Sequence, residues 1–220
     1  MPGMQPIAHI RSPYVEKFGV PRQGNLAPHV ISEIVFEPPF RNEDCIRGLE
    51  AFSHLWLIWK FHHNGDEWHP TVRPPRLGGN TRLGVFATRS PFRPNGLGLS
   101  VVKLVSIEPG PVLRVSGADM VDGTPIVDIK PYVPYADSIP DAAEGFTSVP
   151  RTLLDIEWQT PRPPLPAEWI VALEETLAQD PRPAYQQDAE RRYHLSFRPC
   201  EVIFRVAGRT AIILSVEKLP

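Results

Sequence analysis

Proline limits how this chain can fold more than any other residue type, because 27 of its 220 residues are proline. A proline removes a backbone donor and is excluded from helix interiors and from central strands. The chain therefore needs many loops and sheet edges, and a long helical bundle is excluded. The remaining composition is that of a folded protein, with 42% hydrophobic and 22% charged residues.

Apolar and polar residues alternate in several short runs of the first two thirds of the chain, and this pattern predicts β-strands. A short helix over residues 42–52 is also predicted, because Asn42 is a good cap and acids follow it. Many short strands between Gly and Pro turns favour a mainly β domain, either a closed barrel or a sandwich. The predicted strands cover residues 5–10, 28–36, 53–62, 82–88, 97–108 and 112–121, with one more within 121–134.

A turn-rich stretch over residues 137–151 predicts a domain boundary. Beyond it, residues 153–160 predict a strand, and residues 166–179 predict an amphipathic helix with Pro166 near its start. The last predicted element is a hairpin that turns at Gly208. These elements predict a small α+β domain over residues 151–220, which needs to dock on the first domain to be stable.

Charge is segregated along the chain, although the formal net charge is only −2. Residues 68–107 carry five arginines and Lys103 but no acid, whereas residues 119–144 carry five aspartates and one glutamate against Lys130. A long stretch without an acid predicts a local anion-facing surface on a nearly neutral protein. Such a surface fits a nucleotide or nucleic acid partner better than sequence-independent coating of DNA, which favours a strongly basic domain.

Several common classes of protein are excluded by what the sequence lacks. It contains no G-x-G-x-x-G and no G-x-x-x-x-G-K-[ST] motif, so we expect no Rossmann or P-loop nucleotide site. Its first residues show no apolar signal sequence, and the apolar run 55–59 is too short to cross a bilayer. Cys45 and Cys200 are interpreted as reduced thiols. We therefore expect a cytoplasmic protein without a membrane segment.

The loop over residues 88–98 combines features of a ligand-binding loop. Prolines fix its conformation, and glycines allow a ligand to approach the backbone. Arg89 and Arg93 offer planar cations that suit phosphate or carboxylate, and Asn95 can contact an amide or a base edge. From the residues alone, a rigid hairpin with surface arginines is an equally good interpretation.

Histidines and acids cluster where the strand 53–62 ends. A metal site from His62, Asp66, Glu67 and His69 is one interpretation, because imidazoles and carboxylates bind zinc or iron. Strand alternation, however, predicts that His62 and His63 point to opposite faces, so both cannot easily bind one ion. A polar contact from a histidine to a ligand is the favoured interpretation.

Acids also lie among apolar residues over 116–132. Asp119, Asp122 and Asp128, with Thr124, can form a rim of carboxylates at strand ends, and such a rim attracts a cation such as a sulfonium or ammonium. For Asp122 a simpler interpretation remains open, because Asp-Gly is a common turn pair.

The segment DPRPAYQ, residues 180–186, is the last candidate. Its prolines stiffen a stretch in which Arg182 can contact a phosphate and Tyr185 can stack on a base. A plain helix terminator is the alternative interpretation.

Six segments of the chain together resemble the TsaA-like (YaeB) family, whose bacterial members are TrmO-type tRNA methyltransferases. The resemblance covers about residues 5–145 and the segment 180–186, and the ATRSPFRPN and DGTPIVDIKPY stretches are its most distinctive parts. The six segments are IRSPYVEKFGVPRQG, RGLEAFSHLW, TVRPPRLGGN, GVFATRSPFRPNGLGLS, DMVDGTPIVDIKPYVPYADS and DPRPAY.

The resemblance implies an enzyme built on a closed β-barrel over residues 1–145, with a small C-terminal domain that assists tRNA binding. It implies S-adenosyl-L-methionine as the cofactor and methylation of N6 of threonylcarbamoyladenosine, beside the anticodon at position 37, as the reaction. It also implies a homodimer with cofactor sites near the subunit interface.

The same resemblance implies roles for particular residues. For the implied reaction, our own candidates for a catalytic base are Asp119, Asp180 and Tyr185. The implied cofactor-binding residues are Arg22, Gln23, Gly24, His62, His63, Arg89, Leu99, Asp119, Asp122, Gly123 and Thr124. The residue chemistry described above predicts Arg93, Asn95, Arg182 and Tyr185 as substrate-binding residues, and we expect no metal.

Two positions depart from the pattern of the family. Residues 95–98 read NGLG where many members have Asn-Pro-Ile-Gly, and His63 stands where Gln is frequent. Neither departure removes a charge that the reaction needs. Two other functions remain as alternatives: a non-enzymatic RNA-binding barrel, and a metal-dependent hydrolase that uses the histidine cluster.

Overall fold

The computed structural model describes residues 4–65, 67–78, 80–148, 152–183, 186 and 188–219. The chain is mainly β, as its alternating pattern predicts, and its longer strands form two separate sheets. The strands are β1 (Ala8–Arg11), β2 (Ile31–Phe36), β3 (His54–Lys60), β4 (Thr71–Val72), β5 (Leu83–Gly84), β6 (Leu97–Glu108), β7 (Val112–Ser116), β8 (Pro125–Pro131), β9 (Asp155–Trp158), β10 (Tyr193–Phe197), β11 (Cys200–Ala207) and β12 (Thr210–Lys218).

The described residues contain one short and one longer α-helix. They are α1 (Pro134–Asp137) and α2 (Ala167–Ala178). Short 3-10 turns lie in the connections, namely Pro38–Phe40, Glu43–Ile46, Leu49–Ala51, Pro75–Leu77, Val85–Ala87, Pro94–Gly96 and Gly145–Thr147.

The first sheet contains six strands in the cyclic order β1-β2-β7-β6-β3-β8, and β8 pairs back with β1. Every neighbouring pair is antiparallel, and the longest pairing joins β3 to β6 over seven residues from His54 to Lys60. Alternate side chains of these strands point inward. They build one apolar core from residues such as Ile34, Leu57 and Val102, all fully buried.

The second sheet belongs to the C-terminal part of the chain and has the order β10-β11-β12-β9. Strands β10 to β12 are antiparallel, whereas β9 joins β12 in parallel. The hairpin between β11 and β12 turns at Gly208, whose φ of +59° suits glycine. Helix α2 packs Leu173 and Leu177 into the core of this sheet, which confirms the predicted helix and hairpin.

The connection between β1 and β2 contributes to the second core, although it lies early in the sequence. Tyr14, Ala27 and Val30 are buried with the side chains of α2 and of the C-terminal strands. The Tyr14 hydroxyl is 3.1 Å from Thr176 Oγ1 inside this core. The C-terminal unit is therefore packed against a segment of the first half of the chain.

Two predicted elements have a different form in the structure. The helix expected over 42–52 is two 3-10 turns separated by Gly48, whose φ of +86° interrupts a continuous helix. Asn42 does cap the first turn, since its side chain accepts a hydrogen bond from the Asp44 amide. The strand expected over 82–88 shrinks to Leu83–Gly84, because the chain turns into a 3-10 helix at Val85.

Within the described ranges, no helix has the length and apolar character needed to cross a lipid bilayer.

Candidate functional site

A large open groove of about 2140 Å³ runs along one end of the first sheet. Its floor comes from the ends of β3 and β6 and from the segment after β7, through Trp59, Gly98 and Asp119. Residues 17–26 form one wall, which we call the anchored wall. Residues 85–96 form the opposite wall, which we call the exposed wall. Most ligand pockets have volumes of 300–1,000 Å³, so this groove has room for more than one small molecule.

A hydrogen-bonded carboxylate lies on the floor. Ser100 Oγ donates to Asp119 Oδ1 over 2.5 Å, and Trp59 Nε1 donates to Ser100 Oγ over 3.0 Å. Trp59 and Ser100 are both buried, on neighbouring strands β3 and β6. Gly98 makes room for the indole, because a Cβ at this position would lie 2.3 Å from Trp59 Cε2.

The environment of Asp119 gives its carboxyl an unusual titration. Burial raises the pKa of Asp119 from 3.8 to about 6. The hydrogen bond from Ser100, the backbone amides of Asp119 and Gly24, and the charge of Arg89 lower this pKa and limit the rise. The carboxyl is mostly ionised at pH 7, yet its pKa is close enough to neutrality for proton transfer.

The anchored wall is held on both sides by the rest of the fold. Its Asn25 donates from Nδ2 to the Val101 carbonyl over 3.0 Å, and its backbone amide donates to Gly117 O over 2.8 Å. Phe18 and Val20 pack against the second core. These contacts place Arg22 and Gln23 at the groove.

The exposed wall is bonded mostly within itself, and backbone hydrogen bonds join Val85 to Pro70, Phe92 to His69 and Gly96 to Phe61. Arg93 Nη1 donates to the Thr88 carbonyl over 3.1 Å, and Thr88 Oγ1 donates to the Val85 carbonyl over 2.9 Å. Phe86 is 78% exposed. One contact crosses the groove, where Arg89 Nη1 donates to Gln23 Oε1 over 2.6 Å.

His62 and His63 lie side by side, which corrects the prediction that they point to opposite faces. Strand β3 ends at Lys60, so strand alternation no longer applies to them. Their ring centroids are 3.8 Å apart, and both line the groove. Lys17 Nζ donates to the His63 carbonyl over 2.8 Å. Burial and the neighbouring His63 lower the pKa of His62.

The C-terminal unit contributes one edge of the groove. Arg182 donates from Nε and Nη2 to the two carboxylate oxygens of Asp180, over 2.8 and 2.9 Å. This paired geometry raises the pKa of the Arg182 guanidinium further. Both side chains line the groove, whereas Tyr185 lies outside the described residues.

The structure brings most of the predicted site residues to this groove. Its lining includes the predicted residues Arg22, Gln23, His62, His63, Arg89, Arg93, Leu99, Asp119, Thr124, Asp180 and Arg182. Gly24 is not part of the lining but lies behind it, since a Cβ there would be 3.7 Å from Asp119 Oδ1. Asn95 is outside the lining and has a φ of +68°, which makes it a turn residue.

Asp122 and Gly123 do not reach the groove, although their neighbours Val121 and Thr124 do. Asp122 accepts from Arg198 Nη1 over 2.6 Å and from the Ser12 amide over 3.0 Å. Gly123 has a φ of +76°, so the Asp-Gly pair has the turn geometry that was the simpler interpretation of its sequence. In this structure Asp122 joins the first sheet to the C-terminal unit.

Asp128 also lies elsewhere, because it is on β8 and pairs with Lys130 over 3.1 Å. No group of three or more His, Cys, Asp or Glu side chains that could hold a metal occurs in the described part of the chain. Asp66, one of the four residues considered for a metal, is outside that part.

Sequence reasoning missed three residues of the site, namely Trp59, Ser100 and Lys17. For Ser100 a signal was present: it stands at an inward position of β6, between Gly98 and Val102. A lone hydroxyl at such a position needs a buried partner. That partner, Asp119, could not be identified without the strand pairing.

The fold and the groove together define the chain as a mainly β protein with an arginine-lined groove. The described part of the chain has a mainly β scaffold and an acid between two arginine-bearing walls, and the sequence contains no dinucleotide-binding G-x-G-x-x-G motif. Comparison with known proteins is specific: the family model of the tRNA-methyltransferase O N-terminal domain matches residues 9–138, and that of the TrmO C-terminal domain matches residues 154–219. The chain belongs to the tRNA-methyltransferase O family.

Individual relatives agree with this assignment. The chain is 47% identical to the tRNA (adenine(37)-N6)-methyltransferase of Escherichia coli (strain K12), with 96% of each protein covered. It is 40% identical over 133 residues to a protein of Pyrococcus abyssi named "Probable S-adenosyl-L-methionine-binding protein", covering 60% of this chain and 69% of that protein. A crystal structure of TrmO from P. aeruginosa superposes with a TM-score of 0.80 at 37% identity, covering 99% of this chain and 97% of that one.

Proposed function

We propose that this protein transfers a methyl group from S-adenosyl-L-methionine to N6 of the adenine at position 37 of tRNA, and that its substrate is threonylcarbamoyladenosine. One observation of the fold carries the proposal: the Asp119 carboxylate lies on the floor of a groove whose walls present Arg22 and Arg89. Family membership favours this enzyme over a non-enzymatic RNA-binding module and over a metal-dependent hydrolase.

The residues of the groove fit the charges of the proposed cofactor. The Asp119 carboxylate suits a sulfonium or an ammonium by Coulomb attraction in a partly buried site. The Arg89 guanidinium, held by Gln23, suits the cofactor carboxylate, because a planar fork recognises this group well. Leu97 and Leu99 supply apolar lining for the adenine ring. When bound, the cofactor supplies an electrophilic methyl group for in-line displacement.

The size and charge of the groove fit a tRNA beside the cofactor. Arg73, Arg82 and Arg93 line it in addition to the two wall arginines. None of these five arginines takes part in a salt bridge with a described acid of the chain. With Arg89 assigned to the cofactor, the charges of Arg22, Arg73, Arg82 and Arg93 remain available for phosphates, which supply much of the affinity of proteins for nucleic acids.

We assign Asp119 the role of accepting the proton that leaves N6 during transfer. Its pKa of about 6 makes it a mild base at neutral pH. A mild base suffices, because a carbamoyl carbonyl next to N6 makes that proton more acidic than in plain adenine. The protein otherwise contributes alignment of the two reactants.

Asp180 and Tyr185 are the other two catalytic candidates. Asp180 is held by Arg182 in a bidentate pair, so its lone pairs are partly used. We propose that this pair positions the edge of the groove and that Arg182 contacts tRNA. Tyr185 lies outside the described residues, and its stacking on a base stays a prediction.

Several broader features belong to the same proposal. The cyclic sheet serves as a closed β-barrel in a catalytic domain over residues 1–145, and residues 151–220 form a domain that assists tRNA binding. Of the remaining predicted cofactor contacts, His62, His63 and Thr124 line the groove and keep that role in the proposal, whereas Gly24 supports Asp119 from behind. Asp122, Gly123 and Asn95 lie outside the lining, so we assign them to turns and not to ligand contacts. We further propose that the enzyme is a cytoplasmic homodimer with cofactor sites near the subunit interface.

Single-turnover methylation of threonylcarbamoylated tRNA tests the proposal. The purified protein is mixed with cofactor and tRNA, and the nucleosides are identified by mass spectrometry. We expect one added methyl group on N6 of the modified adenosine, and a large loss of rate in Arg89→Ala and Asp119→Asn. Unmodified adenosine as the methylated product contradicts the substrate assignment, and wild-type rates in both variants contradict the site assignment.

A further inference from the structure

Trp59, Ser100 and Asp119 form a chain of two hydrogen bonds that starts in the core and ends in the groove. The indole nitrogen is 3.0 Å from Ser100 Oγ, and this oxygen is 2.5 Å from Asp119 Oδ1. The first two side chains are 6% and 4% exposed, so water does not compete for these bonds. The two buried polar groups therefore find their hydrogen-bond partners in each other and in Asp119.

The chemistry of the three groups fixes the direction of both hydrogen bonds. An indole N–H is a donor only, so Ser100 Oγ must act as its acceptor. The single hydroxyl proton of Ser100 is then donated to Asp119 Oδ1. The carboxylate therefore acts as acceptor, which is the role that an ionised acid fills best.

Strand register explains why these side chains meet. Trp59 pairs directly with Gly98 across β3 and β6, and Ser100 pairs with Leu57. Trp59 and Ser100 are thus diagonal neighbours on the inner face, within reach of an aromatic side chain. Gly98 leaves space for the ring to lie over the strand, since any Cβ there would overlap the indole.

Resting on the proposed function of Asp119, we propose that Ser100, oriented by Trp59, is a positioning residue that fixes the Asp119 carboxylate as an ionised acceptor at the floor of the groove. Trp59 directs the serine proton, and the serine holds one carboxylate oxygen in place. Deleting the Ser100 hydroxyl removes the side-chain donor that favours the carboxylate charge and leaves only the backbone amides of Asp119 and Gly24 to hold it. The direction of the Asp119 pKa agrees, because the Ser100 hydrogen bond lowers it against the effect of burial.

Ser100→Ala tests this role by NMR titration of carboxyl carbons in aspartate-labelled protein, with Asp119→Asn assigning the Asp119 signal. We expect the pKa of Asp119 to rise by about one unit, since a hydrogen bond to a charged group is lost. The acid limb of the pH profile of kcat should move upward by the same amount. Ser100→Thr retains the hydroxyl and should restore both values.

Ser106→Ala is the matched control, because Ser106 is on the same strand and its hydroxyl donates to the Glu108 carboxylate over 2.7 Å, away from the groove. It should leave the titration of Asp119 unchanged. Trp59→Phe serves as a second test if Ser100→Ala does not fold, and it should raise the pKa by a smaller amount. An unchanged Asp119 pKa in the folded Ser100→Ala or Trp59→Phe protein overturns the proposal.

The same measurements separate this inference from the function on which it rests. If Asp119→Asn keeps the wild-type methylation rate while Ser100→Ala still shifts the pKa, the catalytic role is wrong and the positioning effect stands. If Asp119→Asn abolishes methylation while Ser100→Ala leaves both the pKa and the pH profile in place, the positioning role is wrong.

Discussion

The two walls of the groove carry similar residues but are built in opposite ways. The anchored wall, residues 17–26, packs Phe18 and Val20 into the second core and is bonded to Val101 and Gly117 of the first sheet. The exposed wall, residues 85–96, is closed mostly by contacts within itself, such as Arg93 with Thr88. Arg89 and Gln23 join the two across the groove.

This difference shows how the fold divides the work of binding. The anchored wall is fixed before any ligand arrives, so it costs little entropy to use. The exposed wall has few buried apolar contacts, which is typical of segments that adjust to a partner. We infer that the anchored wall and the floor are preformed, and that the exposed wall, which carries Arg89 and Arg93, adjusts when ligands bind.

Asp119→Asn is the change with the largest expected effect, because it removes the charge that both walls surround. We expect the single-turnover rate to fall by about 10²–10⁴-fold, the usual contribution of a general base. Rapid-quench methylation assays at saturating cofactor measure this loss. Asp128→Asn is the control, since Asp128 pairs with Lys130 outside the groove, and it should react at the wild-type rate. A loss of less than about threefold means that the walls alone suffice.

The Asp119 carboxyl should also affect how the free energy of unfolding depends on pH. Because the pKa of Asp119 is about 6 in the fold and 3.8 in its ordinary state, the unfolded chain loses this proton first as pH rises. Between pH 4 and 6 this group therefore lowers the free energy of unfolding, by at most about 3 kcal/mol, and above pH 6 its contribution is constant. Urea denaturation at a series of pH values should show a more positive slope of the unfolding free energy between pH 4 and 6 for Asp119→Asn than for the wild-type protein. Identical slopes in both proteins contradict the burial of Asp119.

A matched pair of glycines compares the walls directly. Gly19 in the anchored wall has a φ of +91°, and a Cβ there would lie 2.2 Å from Leu195 Cδ1. Gly96 in the exposed wall has a φ of +56° and open space around it. Both alanine variants carry a left-handed backbone penalty of about 1–2 kcal/mol, but only Gly19→Ala adds about 1–3 kcal/mol of overpacking. Equal midpoints of urea unfolding for the two variants would remove the distinction between the walls.

The smallest effect is expected from Phe86→Ser in the exposed wall. Its ring is 78% exposed, so the free energy of unfolding should change by less than about 0.5 kcal/mol. Phe18→Ser in the anchored wall is the counterpart, since Phe18 stacks on Phe204 in the second core. It should lower stability by about 2 kcal/mol, which thermal unfolding resolves. A Phe86→Ser variant as unstable as Phe18→Ser shows that the exposed wall is fixed as well.

Much of the fold follows from local patterns. The strand predicted over 97–108 has the bounds of β6, because its alternation is long and uninterrupted. The helix predicted over 166–179 corresponds to Ala167–Ala178 with Pro166 at its cap. The strand predicted over 82–88 was too long. Only Leu83 and Gly84 pair with β4, and a 3-10 turn begins at Val85. The prediction that His62 and His63 point to opposite faces was wrong for a related reason, because β3 ends two residues earlier than its pattern predicts.

The amino-acid sequence by itself determined that the chain is mainly β, where its long strands and its one long helix lie, and which loops carry charge. Only the tertiary structure decided that Ser100 reaches Asp119, that Asp122 faces Arg198, and that the β1–β2 connection belongs to the second core. Local conformation follows from steric preferences of neighbouring residues, which any short segment contains. Contacts between distant segments depend on strand register and sheet order, because one residue of slip turns every side chain to the opposite face.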